Sequence, residues 1–306
     1  MRAVTLARVP GTVEVTEADR PTPQAGELLV KVAVSSVNGF DLSTVAGVLQ
    51  GMMEHRFPLI PGKDFAGTVE AVGEGVEAFA VGDTVFGVVT KPHLGTGSLA
   101  EYVTVPAAIG VAHRPEGISV REAGSLGLAG SAAVDGLAAL GPIEGATVLI
   151  SGATGGVGTL AVQLAAARGA RVIATAKPGP EAEFVRGLGA TDVVDHAGDL
   201  PAQVRALSPD GVDAVLHLAG DGATLAGLLT DKGRLASTIG FGPDQHPAAT
   251  FVLADPTAET LSTLAEQVAA GALSVPVTAV HDLEQAAEAF AAFGNGTLGK
   301  IAITVA

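Results

Sequence analysis

Thr147-Val148-Leu149-Ile150-Ser151-Gly152-Ala153-Thr154-Gly155-Gly156-Val157-Gly158 is the stretch that decides the fold of this chain. Its first four residues are apolar or β-branched and form a strand, and the run Thr159 to Arg168 that follows has the periodicity of an amphipathic helix. Between them glycines stand at 152, 155 and 158. A strand-to-helix turn that cradles a pyrophosphate needs glycine for separate reasons: a positive φ, a close backbone approach to the anion, and tight packing of helix on strand. The helix N-terminus then turns its free amides and its dipole toward the negative charge. Packing alone also explains glycines in a chain that has 41 of them; the strand before and the helix after favour a dinucleotide site. The candidate cofactor residues here are Gly152, Thr154, Gly155, Gly156, Val157 and Gly158. The stretch Ala146 to Ala167 is uncharged and long enough to cross a bilayer, but its glycine-rich middle and its two periodicities mark a strand, a turn and a helix.

The next strand ends Thr175-Ala176-Lys177. A free ribose 2′-hydroxyl usually meets a carboxylate at this place, and none stands here. Lys177 instead offers a point charge to a 2′-phosphate, so Ala176 and Lys177 favour NADPH over NADH, with a solvated lysine as the other reading.

Further strand runs follow at Asp192 to Asp195, Val212 to Leu218 and Gly233 to Ile239, with helical segments between them. Such alternation implies parallel strands with helices on both faces, an α/β doubly wound domain over residues 118–270. Residues 1–117 carry short β-branched runs such as Leu28 to Val34 and Val81 to Phe86, punctuated by Gly, Pro and Asp, and are β-rich. Residues 271–306 hold strand-like runs around an Ala-rich helix, Glu284 to Phe293, and are expected to rejoin the β-rich part. The apolar run Thr250 to Ala254 is either a sheet edge or a buried strand.

Composition narrows the function. With 17 basic and 32 acidic residues the formal charge is −15, a field that repels phosphate backbones and anionic lipids, so no nucleic acid and no membrane partner is expected. The absence of cysteine excludes disulfides, thiolate metal sites and thiol nucleophiles, and permits a cytoplasmic location. The start Met1-Arg2-Ala3-Val4-Thr5 lacks the apolar core of a signal peptide.

Taken in order, Pro61-Gly62-Lys63-Asp64-Phe65-Ala66-Gly67, Gly73, Val81-Gly82-Asp83-Thr84-Val85, Ala100-Glu101-Tyr102, Gly155-Gly156-Val157-Gly158 and Gly299-Lys300-Ile301 resemble the medium-chain dehydrogenase/reductase superfamily, and within it the zinc-independent quinone oxidoreductase branch. The resemblance implies a GroES-like catalytic domain in two parts, 1–117 and 271–306, around a Rossmann NADPH-binding domain, 118–270, with the active site in the cleft between them. It places Asn38 near the nicotinamide ribose, Leu218 and Ala219 beside the ribose, and Ile239, Gly240 and Phe241 along the nicotinamide. It also places His196, where the family often has a tyrosine, beside the adenosine phosphate.

Zinc members of that superfamily carry a Cys and a His where this chain resembles them with Ser35 and Lys63, and the Cys-rich structural lobe is missing. The seven histidines are scattered without ligand spacing, so no metal is expected. Without a metal to help deprotonate an alcohol, reduction of an electron-poor small molecule is the easier chemistry: a quinone, or the activated C=C bond of an enone or alkenal. The oxyanion or enolate so formed needs hydrogen-bond donors and a proton. Lys63, Asp41 and His93, with Asn38, are the candidate catalytic groups; an ion pair of Lys63 with Asp64 and a solvated His93 are the plainer readings. Many quinone oxidoreductases carry tyrosines in the stretch that matches Leu42 to Ile60, and this chain has Met52, Met53, His55 and Phe57 instead. A short-chain dehydrogenase is excluded because the sole tyrosine, Tyr102, precedes the glycine turn and has Pro106 four residues on. A non-catalytic NADPH-binding redox sensor or structural protein is the reading from another class.

Overall fold

The computed structural model describes residues 1–305. The chain divides into two compact units, Met1–Ala129 with Pro256–Ala306, and Gly130–Asp255. The sequence expectation placed the inner segment at 118–270. The helix Val120–Ala139 contains the first of these boundaries, which is why a composition shift does not mark it.

In the Gly130–Asp255 unit, six strands form one parallel sheet. From one edge to the other they are Asp192–Val194, Arg171–Thr175, Thr147–Ser151, Val212–His217, Leu229–Ser237 and Ala249–Phe251. Numbered along the chain this is the order 3-2-1-4-5-6 of a doubly wound dinucleotide fold. The central strands are runs such as Val148-Leu149-Ile150 that are fully buried, because helices cover both faces. The helix after the glycine turn begins earlier than the sequence periodicity indicates, at Gly156, and ends at Ala167. Its first turn has one apolar side chain, Val157, between two glycines, too little to show a hydrophobic period. The run Thr250 to Ala254 resolves as an edge: Ala249–Phe251 is the outermost strand, and Phe251 and Leu253 are 43% and 76% exposed.

In the other unit, a larger sheet runs Val277–Asp282, Lys300–Thr304, Glu27–Val37, Asp64–Val72, Thr84–Val88, Val111–His113, with Tyr102–Pro106 also paired to Glu27–Val37. The expected return of the last segment is seen in register: Lys300–Thr304 runs antiparallel to Glu27–Val37, with Ile301 opposite Val37 and Thr304 opposite Val34. One buried cluster unites both parts of this unit, for example Val32, Val37 and Phe65 with Ile301, Ile303 and Phe290. Glycine permits the close approach of sheet and helix here: a Cβ on Gly124 would stand 2.8 Å from the Val34 carbonyl oxygen. Among the described residues no helix is long and apolar enough to cross a membrane.

Candidate functional site

The glycine turn begins where strand Thr147–Ser151 ends. Gly152 has φ +67°, and Gly158 lies so close under it that a Cβ there would stand 2.2 Å from the Gly152 carbonyl oxygen. A Cβ on Gly155 would meet nothing nearer than 3.5 Å, so that glycine leaves open space over the turn. The helix that follows has no acidic residue in its first turn, and nothing there opposes an anion at its N-terminus.

Four neighbouring strands of this sheet end in a side chain that ties down the loop of a neighbour or its own. Thr175 Oγ1 accepts the Gly152 N–H at 2.9 Å. Ser151 Oγ accepts the N–H groups of Leu218 and Ala219 at 3.1 and 3.4 Å. Ser237 Oγ accepts those of Ile239 and Phe241 at 3.2 and 3.3 Å. His217, in register with both Ser151 and Ser237, bonds through Nε2 to the Gly220 carbonyl at 3.1 Å and stands edge-on to the Phe241 ring. The loops that carry the sequence-derived residues Leu218, Ala219, Ile239, Gly240 and Phe241 are thus brought to one end of one sheet and held there. His217 is buried and its Nδ1 has no hydrogen-bond partner among the described residues. With Nε2–H spent on a carbonyl, Nδ1 is an acceptor awaiting a donor. An orphaned buried acceptor, an open glycine cradle and a helix N-terminus free of carboxylates together suit a dinucleotide.

At the rim of the same sheet end, Ala176 is buried and Lys177 and His196 are exposed. Lys177 has a neighbour that the sequence reading missed: Glu181 Oε2 accepts the Lys177 N–H at 2.9 Å, and Glu181 Oε1 is 4.0 Å from Lys177 Nζ. The i, i+4 spacing of Lys177 and Glu181 was the available signal.

The candidate catalytic groups belong to the other unit. Asn38, Asp41 and Lys63 come from three short segments next to strands Glu27–Val37 and Asp64–Val72. Asp41 sits in the first turn of helix Gly39–Val45, where its Oδ2 accepts the Asn38 N–H at 2.9 Å. It is 1% exposed, and burial together with the Asp64 charge pushes its carboxyl up to about 7, against the pull of the Asn38 N–H and of Lys300 and Lys63. Lys63 donates to the Val89 carbonyl, with its ammonium 5.0 Å over the centre of the Phe40 ring. Burial lowers its pKa, and the charges of Asp41 and Asp64 oppose that fall. His93 opens strand His93–Thr96, where its Nε2 lies 3.2 Å from Thr96 Oγ1 and 3.3 Å from the Arg56 guanidinium. Burial and the cations Arg56 and Lys91 hold it below the usual histidine range.

Asp41, Lys63 and His93 line one recess with Phe40, Thr44 and Ile60, of about 20 Å³, room for about one water. Ser35 is fully buried and donates to the Asp64 carbonyl at 2.8 Å. Among the described residues no three His, Asp or Glu side chains gather as metal ligands would. Tyr102 stacks under Arg20, 4.0 Å from the guanidinium to the ring centre, a structural contact.

The comparisons with known proteins agree with this fold. The alcohol dehydrogenase GroES-like domain family matches residues 24–116, and the zinc-binding dehydrogenase family matches residues 156–264. A chloroplast envelope quinone oxidoreductase homolog of Arabidopsis thaliana is 32% identical over 304 residues, 92% of this chain and 91% of that one. The solved quinone oxidoreductase from Coxiella burnetii superimposes with a TM-score of 0.90 at 28% identity, covering 100% of this chain and 99% of that one. The solved mycobacterial protein Rv1454c, complexed with NADPH, superimposes with a TM-score of 0.87 at 27% identity and full coverage of both chains. The chain belongs to the medium-chain dehydrogenase/reductase superfamily, in its quinone oxidoreductase branch, and is an oxidoreductase.

Proposed function

We propose that the protein is a zinc-independent, NADPH-dependent reductase that passes hydride to a quinone or to the activated C=C bond of an enone or alkenal. The observation that carries this reading is the recess: a lysine and a buried aspartic acid with a pKa of about 7 stand together, with His93 on the same wall. When bound, NADPH supplies the hydride. The chain's own part is then electrostatic. Hydride uptake leaves negative charge on the acceptor's oxygen; the Lys63 ammonium stabilises that charge, and Asp41, protonated up to neutral pH, has a proton to give. His93, neutral at pH 7, is the second proton carrier. Asn38 meets the nicotinamide ribose, while the 152–158 turn holds the pyrophosphate.

Lys177 supports a 2′-phosphate, and the nearby Glu181 carboxylate offsets part of its charge. The preference for NADPH over NADH therefore rests on Lys177 winning over its own neighbour. Exposed apolar side chains at Val48, Met52 and Phe57 suit an apolar acceptor. On the same reading the chain works in the cytoplasm as a homodimer joined at edge strand Ala249–Phe251, which light scattering after gel filtration tests directly. The activity test is oxidation of NADPH, with NADH in parallel and EDTA present, against ortho- and para-quinones and against conjugated enones and alkenals. Consumption of NADPH with one class selects it; NADPH binding without turnover on any acceptor moves the protein to the sensor reading.

A further inference from the structure

One buried ion pair meets neither substrate nor cofactor in that chemistry. Lys300 and Asp64 are 3% and 0% exposed, and Lys300 Nζ lies 3.1 Å from Asp64 Oδ2. Both also bond the side-chain amide of Asn38. Lys300 Nζ donates to Asn38 Oδ1 at 2.6 Å, and Asn38 Nδ2 donates to Asp64 Oδ2 at 2.9 Å. Asp64 is itself fixed: Ser36 Oγ donates to its Oδ2 at 2.6 Å, and the Leu128 N–H donates to its Oδ1 at 2.7 Å. Gly127 leaves the helix surface low enough for this approach, since a Cβ there would stand 3.1 Å from Asp64 Oδ1.

An asparagine amide has two orientations that exchange oxygen and nitrogen. An ammonium only donates and a carboxylate only accepts, so a single orientation satisfies both. The other sets ammonium against NH2 and carboxylate against C=O. A buried ion pair is weak evidence for stability, because desolvation offsets much of its Coulomb attraction, and its attested use is to specify one arrangement. Four separate stretches of chain meet in this cluster: strand Glu27–Val37 and the residue after it, strand Asp64–Val72, helix Val120–Ala139 and strand Lys300–Thr304.

We propose that Lys300 and Asp64 are positioning residues that lock the Asn38 amide in one donor–acceptor order, so that bound dinucleotide meets it already oriented. The inference rests on the reading that Asn38 faces the ribose of that dinucleotide. Neither Lys300 nor Asp64 touches the substrate in this scheme.

The test uses the full chain. The double variant Lys300→Met with Asp64→Asn removes both charges together, keeps an acceptor for the Leu128 N–H, and is checked for folding by circular dichroism and its melting curve. NADPH affinity is read by quenching or enhancement of nicotinamide fluorescence, apart from any turnover. Loss of the charged contacts is expected to raise the NADPH dissociation constant and KM by about tenfold or more while kcat falls less. Lys300→Arg, which keeps a donor, is expected to restore most of the affinity. A second readout uses the composition: the chain has two asparagines, Asn38 and the exposed Asn295. Labelled with 15N-asparagine, the parent should show one shifted side-chain NH2 pair in slow exchange with solvent; this readout is taken on the parent, because Asp64→Asn adds a third asparagine. A folded double variant with parental affinity, or a parent whose Asn38 NH2 exchanges as fast as that of Asn295, overturns the lock. A parent that shows the slow pair but binds no dinucleotide overturns instead the reading of Asn38 on which its purpose rests.

Discussion

The two candidate regions, one in each unit, are built in opposite ways. The turn at 152–158 is made by neighbours in sequence, out of glycines and backbone amides, and carries almost no side-chain chemistry. The cluster around Asn38 is made by side chains that come from residues 36, 38, 41, 64 and 300, and its backbone is ordinary strand and helix. A binding surface for a diphosphate can be local because its requirements are steric and dipolar. A charged cluster in a protein interior has to be assembled from afar, since each charge needs a partner that its own strand or helix does not supply.

The largest effect should follow from removing one charge of the cluster alone. Lys300→Met without a change at Asp64 leaves a buried carboxylate unpaired and is expected to cost about 3–5 kcal/mol of stability in chemical denaturation. The corresponding damage to the turn is smaller and of another kind. Gly158→Ala forces a Cβ onto the Gly152 carbonyl and is expected to cost about 1–3 kcal/mol, with loss of NADPH binding in the folded fraction. If it bound NADPH normally, the turn would not be the cradle.

Asp41 adds a pH dependence that the turn cannot have. Its carboxyl is raised to about 7 from 3.8, so the folded protein holds this proton more tightly than the unfolded chain. The associated stability is complete below the unfolded value and is lost as pH rises through about 7. Asp41→Asn has no proton to lose, and its stability relative to the parent is expected to climb by roughly 1–3 kcal/mol between pH 4 and pH 8. Denaturation curves at a few pH values decide it, and a flat difference would remove Asp41 as a proton donor.

Smaller changes fall on the rim. Lys177→Ala is expected to lower the preference for NADPH over NADH about tenfold, and Glu181→Gln to raise it by a few fold, since one removes the cation facing a 2′-phosphate and the other removes its competitor. Ser237→Ala, which frees the N–H groups of Ile239 and Phe241, should cost about 1 kcal/mol and loosen nicotinamide binding without touching the pyrophosphate. Paired KM values for the two cofactors separate these cases.

What was legible in the sequence follows the same division. Thr147 to Gly158 announced its strand, turn and helix because steric rules act over a few residues, and the alternating runs after it announced the parallel sheet. Lys300 was visible only as part of the motif Gly299-Lys300-Ile301. The sign that it mattered was a lysine at the head of the otherwise uncharged strand Lys300-Ile301-Ala302-Ile303-Thr304, but nothing local named Asp64 as its partner. Ser151, Thr175, His217 and Ser237 end their strands in the structure, each within two residues of the end read from the sequence. Their shared task, holding the loops of this sheet end, appears only once the register puts them side by side. Glu181 lies in the helix after the strand, beyond the strand-end place where a ribose-binding carboxylate usually stands.

Lys300 and Asn38 are separated by 262 residues, yet their strands are adjacent in the sheet, Ile301 lying opposite Val37. During synthesis the chain emerges in order, so the Val34–Val37 part of strand Glu27–Val37, beyond its pairing with Tyr102–Pro106, must wait with one edge unpaired while the whole parallel sheet of the other unit is made. Contacts of such long sequence separation form late and leave sticky edges exposed in the meantime. Ribosome-bound nascent chains should therefore show the 130–255 unit resistant to protease while the first unit is still open, and a chaperone that guards unpaired strands should matter most in that interval.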